Sequence, residues 1–253
     1  MLPYIADGLT SGQRTLFNTV KLLTDADMLN ASGIVKVAYV VGCAINRQID
    51  VDVPYAEVVD YATKHPLGDV CYDEIIRLAA EWRLPYPMLG YHGNFGSLQG
   101  DCPAYMLYTS INLSDFAKDV VEPYDNLDNK KIACQEFSRV LPYKIPILLI
   151  NGYVNEPYVL FVPHNIAEVC DAVLAYLVNP KISIKKLMAY IKGPDFPTGG
   201  MIVHRSEKVD TEKIFPKVDI SQIALRQRTG TPLLYKFRFC GQLSFFKRIF
   251  AFN

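Results

Sequence analysis

Glycines at 93, 96 and 100 fall within residues 90–101, Gly-Tyr-His-Gly-Asn-Phe-Gly-Ser-Leu-Gln-Gly-Asp, and commit the middle of this chain to a tight loop. Glycine enters the left-handed region of backbone space without steric cost, so a run this dense marks turns with positive φ. Asn94 and Ser97 are residue types that hydrogen-bond nearby backbone in such turns. A second glycine-containing run, Gly193-Pro-Asp-Phe-Pro-Thr-Gly-Gly200, follows near the end. Neither run sits where a nucleotide-binding fingerprint would place it, so Gly93, Gly96 and Gly100 are read as structural rather than as a phosphate cradle.

The chain has 253 residues, of which 50% are hydrophobic and 21% charged, a globular composition rather than a disordered one. Its longest apolar runs, such as residues 145–150, are too short to span a bilayer. The opening Met1-Leu-Pro-Tyr-Ile-Ala-Asp7 lacks the basic-then-apolar pattern of a secretory leader, so a cytoplasmic location without membrane contact is expected. Cys43, Cys71, Cys102, Cys134, Cys170 and Cys240 form no C-x-x-C pair, and the four histidines are equally dispersed. Reduced, mostly buried thiols and no dedicated metal site are expected from this spacing.

Net charge is zero, which argues against a uniformly basic nucleic-acid surface. Distribution matters more than the sum. After Asp219 the chain carries Arg226, Arg228, Lys236, Arg238, Lys247 and Arg248 with no acidic residue. That segment reads either as a solvated basic tail or as a phosphate-contacting edge.

Apolar spacing through Leu16, Phe17, Val20 and Leu23 predicts an amphipathic helix over residues 9–30. Further helices are predicted at 34–45, 55–63 and 70–83, the last with Asp69 as its N-cap. Three helices and a turn leading into a fourth fit a helix-turn-helix or winged-helix layout. Residues 113–122 read as helical and 139–150 as a strand. Pro163-His-Asn165 opens a helix running to Val178, and Ser183 caps another over 184–191. Strands are predicted at 200–205 and 233–239. A domain boundary falls near residue 150.

Several short motifs follow one another in a fixed order. They are Asp7-Gly-Leu9 with Gln13-Arg14, His65-Pro-Leu-Gly-Asp69 with Tyr72-Asp73, and Gly93-Asn-Phe-Gly-Ser97 with Gly100-Asp101. Tyr108-Thr109, Pro163-His-Asn165 and Gly193 to Gly200 continue the series. Together they resemble the breakage-reunion polypeptide of type IIA DNA topoisomerases, the family of the gyrase A subunit and the topoisomerase IV C subunit. The resemblance covers residues 6 to 205. It implies an α+β, mainly helical fold: a winged-helix (CAP-like) DNA-binding domain over 1–150, then an incomplete α/β tower domain over 151–253.

The family reaction implied is transient double-strand DNA breakage through a 5′-phosphotyrosyl link, followed by strand passage. On this resemblance Tyr108 is the nucleophile, while Arg14, Lys36 and His65 are candidate DNA contacts. Surface solvation accounts for Arg14 and Lys36 nearly as well, and His65 reads equally as a turn residue. His92 and His164 read as structural. The resemblance also implies Mg²⁺ and ATP supplied through an ATPase and metal-binding partner, and a weak homodimer formed near residues 70–83. Double-stranded DNA is the implied substrate. The chain stops soon after the tower segment starts, so strand passage by this polypeptide alone is not expected.

Departures from the family pattern bear on the chemistry. A phenol with a pKa of about 10 is only about one part in a thousand phenolate near neutrality, so a tyrosine nucleophile needs cationic help. The family places an arginine beside the tyrosine, and Leu107 stands there in this chain. Losing one preorganised donor typically costs about 3–4 kcal/mol of transition-state stabilisation. Leu67 replaces the second histidine of a His-Pro-His motif, Thr10 and Thr15 replace basic residues, and Tyr39 stands where an arginine is expected. Residues 153–162 are shorter than the family's DNA-bending hairpin. Impaired cleavage is expected, and the alternative is a cleavage-deficient module that binds DNA or another topoisomerase polypeptide.

Overall fold

The computed structural model describes residues 2–191 and 195, apart from 6, 26–32, 50–52, 98, 122–135 and 156–157. The predicted strands at 200–205 and 233–239, the basic segment after Asp219, Cys134 and Cys240 lie outside the described residues, as does all of the Gly193 to Gly200 run except Asp195.

Helix α1 (Ser11–Asp25) starts where Thr10 and Gln13 cap one another. The Gln13 backbone N–H donates to Thr10 Oγ1 at 3.3 Å, and the Thr10 N–H donates to Gln13 Oε1 at 3.0 Å. This reciprocal pair satisfies two amides that an unassisted helix start leaves open. The helix then buries Leu16, Phe17, Val20, Leu22 and Leu23 on the face its spacing predicts. Strand β1 (Val35–Lys36) leads directly into α2 (Val37–Asn46), followed by α3 (Tyr55–Lys64) and α4 (Gly68–Ala79).

The α2–α3 approach is close because residue 42 has no side chain. A Cβ added at Gly42 would lie 2.5 Å from the Val58 carbonyl oxygen and 2.7 Å from Val58 Cγ1. Helices α1 and α4 are tied by Gln13 Nε2, which donates to Glu74 Oε2 at 2.8 Å.

Three short strands cross this helical layer. Strand β3 (Ser110–Leu113) runs antiparallel between β1 and β2 (Leu89–His92), in the order β1-β3-β2. Ser114 ends the sheet and caps α5 (Asp115–Val120), accepting from the Ala117 N–H at 3.0 Å. A short 3-10 helix, Glu136–Ser138, packs back on α1, where Asn18 Nδ2 donates to the Phe137 and Arg139 carbonyls at 3.2 and 2.7 Å.

The remaining elements are α6 (Ile147–Asn151), the hairpin β4 (Tyr153–Asn155) and β5 (Tyr158–Phe161), α7 (Ile166–Val178) and α8 (Ile184–Met188). The buried apolar residues form two clusters. The larger gathers α1 to α5 and reaches Ile147; the smaller comprises Leu149, Ile150, Val169, Ala172, Leu187 and Ile191. Beside the smaller cluster Asn151 clasps Tyr86, its Oδ1 accepting from the Tyr86 N–H at 2.9 Å and its Nδ2 donating to the Tyr86 carbonyl at 2.8 Å. The result is a mixed α+β fold in which helices dominate. No helix among the described residues is long and apolar enough to cross a membrane.

Three local expectations are corrected. Asp69 does not cap α4, which starts at Gly68 with Leu67 as N-cap and no side-chain cap bond; Asp69 lies in the first turn. The stretch 139–150 is not a strand, because its apolar run Ile147 to Ile150 is buried on all sides as helix α6. Periodicity cannot separate these outcomes in so short a run. Of the four described cysteines only Cys43 is fully buried, and Cys102 is exposed. The capping roles of Asn165 and Ser183 agree with the sequence reading: Asn165 Oδ1 accepts from the Ala167 N–H at 2.9 Å, and Ser183 Oγ accepts from Lys186.

Candidate functional site

Tyr108 sits at the entry to β3, 74% exposed, in a turn closed by its own N–H donating to the Tyr105 carbonyl at 2.9 Å. Thr109 next to it is fully buried, and its hydroxyl donates to the Met106 carbonyl at 3.3 Å. The turn is therefore anchored by Met106 and Thr109, both inside the core, while Tyr108 projects outward.

The glycine-rich loop forms one flank of this turn. Gly93, at φ 101°, passes so close to the turn that a Cβ there would lie 3.2 Å from the Tyr108 carbonyl oxygen. Gly96 and Gly100 have φ of 87° and 96°, conformations that side chains other than glycine's rarely allow. Asn94 Oδ1 accepts from the Gly96 N–H at 2.8 Å, and its backbone carbonyl accepts from Ala104 at 2.9 Å. Ser97 Oγ donates to Asp101 Oδ2 at 2.6 Å and accepts from the Gln99 N–H at 3.2 Å. Phe95 plugs the loop into the core, edge-on to Tyr72 and tilted on Tyr91. Tyr72, on α4, donates its hydroxyl to the Ala104 carbonyl at 2.5 Å, and burial holds its phenol above the ordinary value.

His65 closes α3, and its Nδ1 accepts from the Leu67 N–H at 3.1 Å while its ring lies 5.2 Å from that of Tyr61. Gly68, in the turn that follows, passes so close to α3 that a Cβ there would lie 2.3 Å from the Ala62 carbonyl oxygen. Leu67 and Leu107 are both exposed.

Lys36 is exposed on β1, paired directly with Ser110, two residues beyond Tyr108. The adjoining Val37 N–H donates to the Thr109 carbonyl at 3.2 Å. Arg14 is placed differently. Its guanidinium bonds the fully buried Asp7 through Nε, with a second bond from Nη2 at 3.1 Å, and its centre lies 5.2 Å from the Tyr4 ring. The hydrogen bond to Asp7 is the chief reason its pKa is raised further. Only 11% of its side chain is exposed, so the structure holds Arg14 as a buried ion pair, while Lys36 and the glycine loop flank the strand and turn that carry Tyr108. His92, read from sequence as structural, is exposed on β2 and also pairs with Ser110. Only the alternation of β2 and β3 could have signalled this, and four-residue strands give too short a pattern.

Among the described residues no group of three or more His, Cys, Asp or Glu side chains converges where a metal ion could sit.

The family profile for the A subunit of DNA gyrase/topoisomerase IV matches residues 1–228. The A subunit of DNA topoisomerase 4 from Rickettsia prowazekii (strain Madrid E) is 34% identical over 230 residues, covering 83% of this chain and 27% of that protein. The Staphylococcus epidermidis protein of the same name is 42% identical over 150 residues, 54% of this chain and 18% of that protein. The DNA gyrase A subunit of Dehalogenimonas lykanthroporepellens is 39% identical over 158 residues, covering 56% and 18% respectively. The chain belongs to the family of DNA gyrase and topoisomerase IV A subunits. It spans about a quarter of the length of the Rickettsia relative (27%).

Proposed function

We propose that this chain is a DNA-binding, topoisomerase-like polypeptide in which Tyr108 is the inherited nucleophile and cleavage is impaired. The observation that carries the reading is the placement of Tyr108, 74% exposed on a turn whose neighbours are locked in the core. In this reading residues 1–150 are a winged-helix breakage-reunion domain and 151–253 belong to a tower domain. The two separate apolar clusters support that division. Double-stranded DNA is the substrate, and an ATPase partner supplies ATP and Mg²⁺ in the cytoplasm. A weak homodimer meets on the α4 side.

The chemistry is an exchange of phosphoesters. Tyr108 Oη attacks phosphorus, the Oη–P bond forms, the P–O3′ bond breaks, and the electron pair leaves on the 3′ oxygen. The phenolic proton passes to solvent, and the leaving 3′ oxygen takes one up. The reverse attack reseals the strand, because the phosphotyrosyl ester keeps the bond energy. Negative charge grows on the phosphoryl oxygens, and Leu107 offers nothing to it.

The test is covalent adduct formation on supercoiled DNA with Mg²⁺ and an ATPase partner. The unmodified chain should give little or no adduct. Leu107→Arg should raise the yield on the order of 10²-fold, and Tyr108→Phe in that background should abolish it. Robust adduct from the unmodified chain would overturn the impairment; adduct that survives Tyr108→Phe would overturn the nucleophile assignment.

A second reading, a binding module that no longer cleaves, is favoured by Arg14 being consumed by Asp7. It predicts salt-sensitive, sequence-independent DNA association. With about three to five phosphate contacts, log K should fall against log salt with a slope of about −3 to −4. In this reading Leu107→Arg restores nothing.

A further inference from the structure

We propose that residues 243–250, Leu-Ser-Phe-Phe-Lys-Arg-Ile-Phe, dock on the outward face of α7, so that this chain supplies the cover for its own helix. Helix α7 packs against α6 and α8, and there Val169 and Ala172 are buried. Its other side is just as apolar. Leu174, Leu177 and Val178 are 59%, 66% and 87% exposed, and their three- and four-residue spacing puts them side by side. Of the thirteen residues of α7 only Glu168 and Asp171 are charged. A surface helix carries its charge on the solvent side, whereas a helix apolar nearly all round is a buried one.

Charge, spacing and tether select the occupant. Both charges of α7 are negative, while the chain after Asp219 has no acidic residue and places Lys247 and Arg248 between Phe246 and Ile249. Residues 196–219 mix both signs and lack this match. Leu243, Phe246 and Phe250 recur at the spacing that one helix face gathers. Lys181 and Lys185 follow the end of α7 and repel a basic pair, so Lys247 and Arg248 belong at the Asp171 end. The chain also leaves from the right place. The Asp195 N–H donates to the Pro163 carbonyl at 2.8 Å, and Asn165 Nδ2 donates to Asp195 Oδ2 at 3.1 Å, so residues 196–253 set out from the start of α7. At up to about 3.3 Å per residue they reach every part of a helix about 20 Å long. A tethered segment acts at roughly millimolar effective concentration, which favours it over a second copy at micromolar protein. Residues 229–253 lie beyond the stretch that the family profile matches.

The test is maleimide labelling of Leu177→Cys in the full chain, mapped by peptide mass, with Cys102 as the exposed reference and Cys43 as the buried one. Leu177→Cys should label at least about tenfold more slowly than Cys102, because the tethered segment keeps the face covered. Adding Phe246→Asp and Phe250→Asp should bring its rate up to that of Cys102, while Cys43 stays unlabelled and so reports an intact core. Leu177→Cys labelling as fast as Cys102 with the natural segment present overturns the docking. Slow labelling that ignores Phe246→Asp and Phe250→Asp means that something else covers α7, and overturns the choice of segment.

A charge exchange tests the same contact without touching an apolar residue. Asp171→Lys should speed labelling of Leu177→Cys, and Lys247→Glu with Arg248→Glu in that background should slow it again. Failure of the exchange to restore protection overturns the match between Asp171 and the basic pair, and with it the choice of segment. Dilution separates the remaining occupant. Protection that is constant across micromolar protein concentrations supports the tethered segment, whereas protection that fades on dilution assigns the face to a second copy and overturns the proposal.

Discussion

Arg14 reaches back seven residues to clasp Asp7, and the carboxylate it holds is sealed completely from solvent. Asp7 Oδ1 also accepts from the Leu9 N–H at 3.0 Å, and Arg14 Nη2 donates to the Leu9 carbonyl at 3.3 Å, so the pair organises the whole approach to α1. Breaking one half of a buried pair leaves the other charged and unmatched, which typically costs about 3–5 kcal/mol. Asp7→Ala and Arg14→Ala should each lower stability by about that amount in urea unfolding. The double variant should lose less than the two losses added. A cost below about 0.5 kcal/mol for either single change, the size usual at a surface site, would contradict a structural pair.

Two glycines in neighbouring helices should respond oppositely to alanine. At Gly42 a methyl meets the Val58 backbone oxygen at 2.5 Å, and backbone cannot step aside as a side chain can. Gly42→Ala should destabilise by about 1–3 kcal/mol. At Gly12 nothing lies within 4 Å, so Gly12→Ala in α1 should be neutral or stabilising by up to about 1 kcal/mol. Thermal melts of both variants provide the comparison.

Thiol reactivity should separate Cys43 from Cys102. Burial pushes the Cys43 thiol up to about 12, and its side chain is sealed inside α2. Native protein treated with a maleimide near neutral pH should label the exposed Cys102 and spare Cys43 until the chain unfolds. The same shift sets a pH limit. In the unfolded chain the thiol ionises near its ordinary value of 9.0, so Cys43 contributes its full share of stability below pH 9.0 and loses it progressively toward pH 12. Cys43→Ser should flatten that alkaline decline in urea midpoints; an unchanged decline would assign it to other groups.

Tyr108 and Gly93 should part chemistry from folding. Tyr108→Phe removes one exposed hydroxyl and should shift stability by no more than about 0.5 kcal/mol. Gly93→Ala places a side chain at φ 101° and 3.2 Å from the Tyr108 carbonyl, so it should lower the melting temperature and disturb the turn. A Gly93→Ala variant as stable as the parent would mean that the turn relaxes freely.

Much of the helical frame is legible in sequence because α1, α3, α4 and α7 each carry a face of spaced apolar residues or a capping side chain. The sheet is not. Val35–Lys36 and Ser110–Leu113 are too short for alternation to register, and their pairing spans 74 to 76 positions, from residue 36 to 110 and from 35 to 111. The site is legible in parts. Glycine density locates the loop, but the neighbours of Tyr108 depend on strand register, so nothing in sequence draws His92 to it. Arg14 reads as surface charge because no local pattern marks Asp7 as buried. Thr10, notable in sequence for the charge it lacks, caps a helix with Gln13.

The Asn151 clasp on residue 86 touches only the backbone N–H and carbonyl of its partner. The two ends of the link are thus under unequal selection. Position 86 can drift through most side chains, proline excepted, without breaking these two bonds. Position 151 cannot, since few side chains offer a donor and an acceptor on one short arm. Among descendants of this chain, residue 151 should therefore be the slower clock of the two.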